Sequence, residues 1–125
     1  MRNILLATAA TLLLAAPTFA ADDPMSGFYG NTAVVTGGMA ETHSHYRADH
    51  TFDVTAHAMG MDYKFAGTWK FDAKGQLCRT YADPTPPGLT SNPLCTPWEA
   101  HKVGDTWTVT TNGSTRTIAL KAGVE

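Results

Sequence analysis

The chain is short of the residue patterns that announce a chemistry. It has two cysteines, Cys78 and Cys95, and they lack the C-x-x-C spacing that a dithiol redox couple would use. Lys and Arg number 9 against 11 Asp and Glu, and they form no basic patch that would argue for a nucleic-acid partner. No nucleophile elbow, phosphate-binding loop or His-Glu-x-x-His motif occurs. Ser44 stands between His43 and His45, and strand alternation points it away from both. Asp49 and Asp53 are separated by a turn and by parity, so they form no acid–base pair. Beyond the N-terminus no apolar run is long enough to cross a membrane. Nor does any later segment repeat apolar residues at helical spacing over three turns. The one candidate for a helix is a single turn near Trp98, Glu99 and Ala100.

What is present begins with a leader. Arg2 precedes the apolar run 4–16, and Thr18, Phe19 and Ala20 supply small residues before Asp22 and Asp23. Residues 1–20 therefore read as a secretory signal peptide, with cleavage after Ala20 or Ala21, and residues 21–125 as a single β domain in the periplasm or outside the cell. In that oxidising compartment an isolated cysteine pair predicts a Cys78–Cys95 disulfide.

Turn signals recur along the rest of the chain at the spacing of a strand meander. Residues 22–27 read as a loose lead, and residues 28–36 as a strand ending at Gly37 and Gly38. In residues 51–57, Phe52, Val54 and Ala56 share one face and Asp53, Thr55 and His57 the other. A three-residue turn at Ala48, Asp49 and His50, with His50 left-handed, puts Tyr46 opposite Phe52 on the buried side. The same register puts His45 opposite Asp53, His43 opposite Thr55 and Glu41 opposite His57 on the outer side.

Residues 63–81 form the scaffold hairpin. Tyr63, Phe65, Gly67, Trp69 and Phe71 alternate inward, and Gly75 supplies the positive φ of the turn. Phe71 then opposes Leu77, Trp69 opposes Arg79, which can stack on it, and Gly67 opposes Tyr81, which covers its bare backbone. Prolines exclude a ladder in residues 83–93, and residues 96–101 read as a further strand. Asn112 and Gly113 predict a tight hairpin that pairs Trp107 with Ile118, with Val109 and Leu120 on the same face. The expected fold is all-β: a small antiparallel meander β-barrel or strongly curved sheet of about seven strands, with a two-sheet sandwich as the alternative.

The run Asp49-x-Thr51-Phe52, then Gly67-Thr68-Trp69, then Leu77-Cys78 and a second cysteine after a proline-rich loop resembles small secreted bacterial β-proteins of unassigned function. The motifs are hairpin motifs and imply a fold only. Gly67-Thr68-Trp69 also resembles the lipocalin Gly-x-Trp signature. Lipocalins carry it on the first strand and here it lies mid-chain, so no lipocalin ligand is implied.

Two candidate sites follow. The aromatic supply of the inward faces suggests a small apolar or aromatic ligand, with Tyr63, Phe65, Trp69 and Tyr81 as its binding residues; simple core packing is the alternative. On the outer face, His43, His45, Asp53 and His57, with Glu41 beside them, have the donor types for copper or zinc. A solvated polar face rich in His is the plainer alternative there. Met59 and Met61 continue a His-x-Met-x-Met pattern that suits Cu(I), although two apolar side chains capping the core explain them as well. His101 reads as a surface residue. With no carboxylate or imidazole expected inside the sheet, the chain reads as a non-enzymatic binding protein, and a structural module of the cell envelope is a further alternative.

Overall fold

The computed structural model describes residues 23–111 and 113–125. The expected signal peptide and Asn112 of the expected turn lie outside the described residues. A 3-10 turn at Ser26–Phe28 leads into eight strands: β1 (Asn31–Thr36), β2 (Glu41–Tyr46), β3 (Thr51–Ala58), β4 (Met61–Phe71), β5 (Leu77–Tyr81), β6 (Leu94–Thr96), β7 (Thr106–Thr111) and β8 (Ser114–Ala122). They form one antiparallel sheet in the order β6-β5-β4-β3-β2-β1-β8-β7, curled into a half-barrel, so the sandwich alternative falls. Hairpins explain every neighbour except β1–β8, where the chain returns along the far side of β1 after β7.

The central registers follow from alternation. Tyr46 pairs with Phe52, His45 with Asp53, His43 with Thr55 and Glu41 with His57. His50 takes φ 68° at the turn. Its ring stacks on Trp69, with centroids 4.1 Å apart, and its Nδ1 is 3.0 Å from the Trp69 carbonyl. Phe71 pairs with Leu77, Trp69 with Arg79 and Gly67 with Tyr81. Trp107 pairs with Ile118. Cys78 pairs with Cys95 across β5 and β6 and the two are joined by a disulfide. Asn92 extends that edge with its side chain, donating to the Tyr81 carbonyl at 3.0 Å and accepting from the Tyr81 N–H at 2.9 Å.

The ends of the chain depart from expectation. Residues 23–27 are no loose lead. Met25 is completely buried and Phe28 nearly so, and both join Tyr46, Phe52, Trp69, Leu77 and Leu120 in the core. Local pattern hides this, because the 3-10 turn plugs one end of the trough through long-range contacts. Phe28 packs on Trp98 at 4.8 Å between centroids, and Trp98 on Tyr46 at 5.6 Å. The segment 97–101 is neither strand nor helix; the last β-pairing there ends at Thr96. It crosses as an irregular strap that delivers Trp98 and His101 to the core side.

His101 is therefore no surface residue. Its ring lies parallel to Trp107 with centroids 3.4 Å apart, and its Nδ1 is 3.3 Å from Asp105 Oδ2. The β3–β4 hairpin also runs further than expected, to a two-residue turn at Met59 and Gly60, both with positive φ. This carries Met59 and Met61 past the end of the core into solvent, so they do not cap it. Val109 is exposed for a similar reason: β7 is an edge strand beyond the trough.

Candidate functional site

The curl of the sheet makes a trough whose two halves differ. At one end the 3-10 turn, Trp98, Trp107 and Leu120 fill it. In the other half a cleft of about 380 Å3 remains, within the usual range for small-molecule sites of about 300–1,000 Å3. Thr42, Ser44 and Tyr46 of β2, Val54 and Ala56 of β3, Phe65 of β4, and Arg79 and Tyr81 of β5 line it. These positions alternate inward because Ser44, Val54 and Phe65 are paired in sequence across three strands. Pro86 and Pro87, from the loop closed by the disulfide, form its remaining wall. That loop cannot join the sheet, because proline lacks an N–H to donate, so it is free to lean over the trough.

The expected ligand residues divide. Phe65 and Tyr81 line the cleft. Trp69 does not; it is buried in the core, and its indole N–H donates to the carbonyls of Arg47 and Thr51, 3.1 Å from each. Tyr63 lies at the exposed end of β4, its hydroxyl 3.6 Å from the Met61 sulfur. The expected stacking of Arg79 on Trp69 is replaced as well. Since the Trp69 face is taken by His50, the Arg79 guanidinium lies 5.5 Å from the centroids of both Tyr46 and Trp98. Its Nε donates to the Tyr46 hydroxyl at 2.7 Å and its Nη1 to Thr96 Oγ1 at 3.3 Å. Burial pushes the Tyr81 phenol up; the Tyr46 oxygen adds to this and the Arg79 charge opposes it, so Tyr81 stays a hydrogen-bond donor. Neither Ser44 nor the wall of Pro86 and Pro87 was expected at the site. Ser44 could have been found by parity, whereas the loop that carries the prolines has no period to follow.

On the convex side the four expected metal ligands do not converge. His45 Nδ1 is 2.7 Å from Asp53 Oδ1, and Asp53 also pairs with Arg47. Burial tends to raise the Asp53 carboxyl, but hydrogen bonds from His45 and Arg47 and their charges hold it below the usual carboxylate range. An ionised carboxylate only accepts, so His45 donates through Nδ1, and among the described residues its buried Nε2 has no partner. The burial of His45 is unexpected for an outward position. Ala33 pairs with Ser44, which puts Thr32 beside His45. Residues 123–125 fold back there: Thr32 Oγ1 donates to the Gly123 carbonyl at 2.8 Å and accepts from the Glu125 N–H at 3.0 Å.

His43 and His57 belong to a second group. His43 Nε2 is 2.8 Å from Glu41 Oε1, His57 Nδ1 is 2.5 Å from Asp62 Oδ1, and the two imidazoles meet edge to face at 4.9 Å. The hydrogen bond from His43 is the main reason the Glu41 carboxyl sits below its ordinary value. Among the described residues, the only trio of His, Cys or acidic ligand atoms within 4.8 Å of one another is Asp72, Cys78 and Cys95, and the disulfide consumes both sulfurs. A hollow of about 570 Å3 runs over His45, Asp53 and Lys64 to Val124 and Glu125, but its Asp53 is already engaged by His45 and Arg47.

No protein family model, curated protein or solved structure matches this chain.

Proposed function

We propose that this chain is a secreted, non-enzymatic protein that binds a small apolar or aromatic ligand in the concave cleft between β2 and β5. One observation carries it. An aromatic core fills one half of the half-barrel's trough, yet the other half stays open, walled by the partly exposed Val54, Phe65 and Tyr81 beside the buried Tyr46. A sheet closed only for stability would gain from burying those side chains, at about 25 cal/mol per Å2 of apolar surface. The Cys78–Cys95 disulfide fits an extracytoplasmic compartment, as does the leader-like sequence of residues 1–20. Titration with the neutral fluorophore N-phenyl-1-naphthylamine tests the proposal. A saturable fluorescence rise is expected, and Ala56→Trp, which puts an indole into the cleft, abolishes it. No saturable binding, or binding indifferent to Ala56→Trp, refutes it.

The facing imidazoles of His43 and His57, each held by a carboxylate, favour a second reading as a copper or zinc site. The ligands would be His43, His57, Glu41 and Asp62, and not His45 or Asp53. Thermal stabilisation by Zn2+ or Cu2+ that His43→Ala abolishes and His45→Ala preserves would support it. The absence of any metal-dependent shift would dismiss it.

A further inference from the structure

The cleft contains a cation that no acid among the described residues neutralises. Arg79 projects into it from β5, and among the described residues no carboxylate oxygen lies within 4.0 Å of its nitrogens. Its neighbours fix its position without cancelling its charge. Tyr46 and Thr96 each accept one N–H, and the faces of Tyr46 and Trp98 attract the guanidinium through their quadrupoles. Of five N–H donors two are engaged, and among the described residues Nη2 has no partner. Half-buried charge is costly unless it is paired. A fixed guanidinium with unspent donors beside an aromatic wall is the arrangement that an oxyanion completes.

The rest of the cleft agrees. The Ser44 and Tyr81 hydroxyls line it, and among the described residues neither is hydrogen-bonded to protein. Val54, Ala56, Phe65, Pro86 and Pro87 supply the apolar remainder. Polar donors and the cation thus share a cleft with a continuous apolar wall. No acidic residue lines it.

We infer that the ligand is a small amphipathic anion: an apolar or aromatic body bearing a carboxylate or sulfonate, with its charged oxygens on Arg79. This rests on the cleft being the ligand site. Two fluorophores that share an anilinonaphthalene body separate the two claims: 1-anilinonaphthalene-8-sulfonate is anionic, and N-phenyl-1-naphthylamine is neutral. The wild-type protein is expected to bind the sulfonate at least about tenfold more tightly, the scale of one charge-assisted hydrogen-bonded contact. In Arg79→Met that preference should collapse toward unity, and in Arg79→Lys, which keeps the charge but not the fork, it should fall part of the way. Raising the salt concentration should weaken the sulfonate and not the amine, a measurement on wild type alone that does not depend on the variants folding. Equal wild-type affinities for the two probes would overturn the anion inference and leave the cleft standing. A sulfonate preference that survives Arg79→Met in a folded variant would overturn it too. Failure of both probes to bind would remove the cleft and the inference together.

Discussion

Met25 offers a direct test of how the trough is closed. By sequence it belongs to a polar, structureless lead; in the structure it is 0% exposed and packed into the core, while Met39, in the connection between β1 and β2, is 91% exposed. The substitution Met→Ala at the two positions removes the same atoms from opposite environments. At Met25 it leaves a cavity under the 3-10 turn. That turn is held by the Phe28 N–H to Met25 carbonyl bond at 2.9 Å and by the Trp98 indole at 3.4 Å from the Pro24 carbonyl. Burial of this kind predicts a loss of about 3 kcal/mol, within the 2–5 kcal/mol span of buried Met→Ala changes. In a domain of this size that lowers Tm by roughly 10–20 °C. Met39→Ala should stay within about 0.5 kcal/mol of wild type. Urea unfolding followed by circular dichroism measures both on one scale, and an unchanged slope confirms that stability, not compactness, has moved. Equal, small effects at the two positions would mean that residues 23–28 are not part of the core, and the plugged half of the trough would have to be abandoned.

Three further outcomes are expected. Replacing Cys78 and Cys95 together by Ala should cost about 3 kcal/mol in urea midpoint analysis, from the loop entropy of a 17-residue separation; a loss under about 1 kcal/mol would show that Asn92 already closes the loop. Gly67→Ala should destabilise by about 2 kcal/mol, because a Cβ there would meet the Thr80 carbonyl oxygen at 1.9 Å and Phe52 at 3.0 Å; a neutral result would contradict the close approach of β4 and β5. The Asp53 carboxyl is lowered on folding, so its contribution is present above the ordinary carboxylate pKa of about 4 and is lost as pH falls through the lower folded value. Asp53→Asn should therefore destabilise at pH 7 and progressively less below pH 4, and an effect independent of pH would refute the His45–Asp53–Arg47 arrangement.

Hairpin pairing was legible because it is a local matter, whereas the pairing of β1 with β8 joins distant parts of the chain and was not. The period-2 alternation of residues 51–57 and 63–71, the left-handed turn at His50 and the glycine at 75 leave one register that buries Tyr46 with Phe52 and Leu77 with Phe71. A slip of one residue would expose every one of them. The disulfide was legible from cysteine count and compartment alone. The cleft was half legible: Phe65, Tyr81 and Arg79 follow from parity, yet parity also brought in Trp69, which the core claims. Whether an inward side chain packs or lines a space depends on what lies across the trough, and alternation is silent about that.

Sequence by itself determined an all-β chain, its central registers and the faces on which aromatics and histidines stand, because these follow from backbone geometry and side-chain period. Tertiary structure alone decided the rest. The 3-10 turn carrying Phe28 and the strap carrying Trp98 meet over a long sequence separation: the Trp98 ring packs on Phe28, and its indole N–H reaches the Pro24 carbonyl 74 positions away. The return of residues 123–125 over Thr32 buries His45 in the same way. Such contacts bring no periodicity to the segments that make them, so nothing local marks them. They nonetheless choose which half of the trough is filled, leaving Arg79 at an open cleft and His43 and His57 facing each other on the outside.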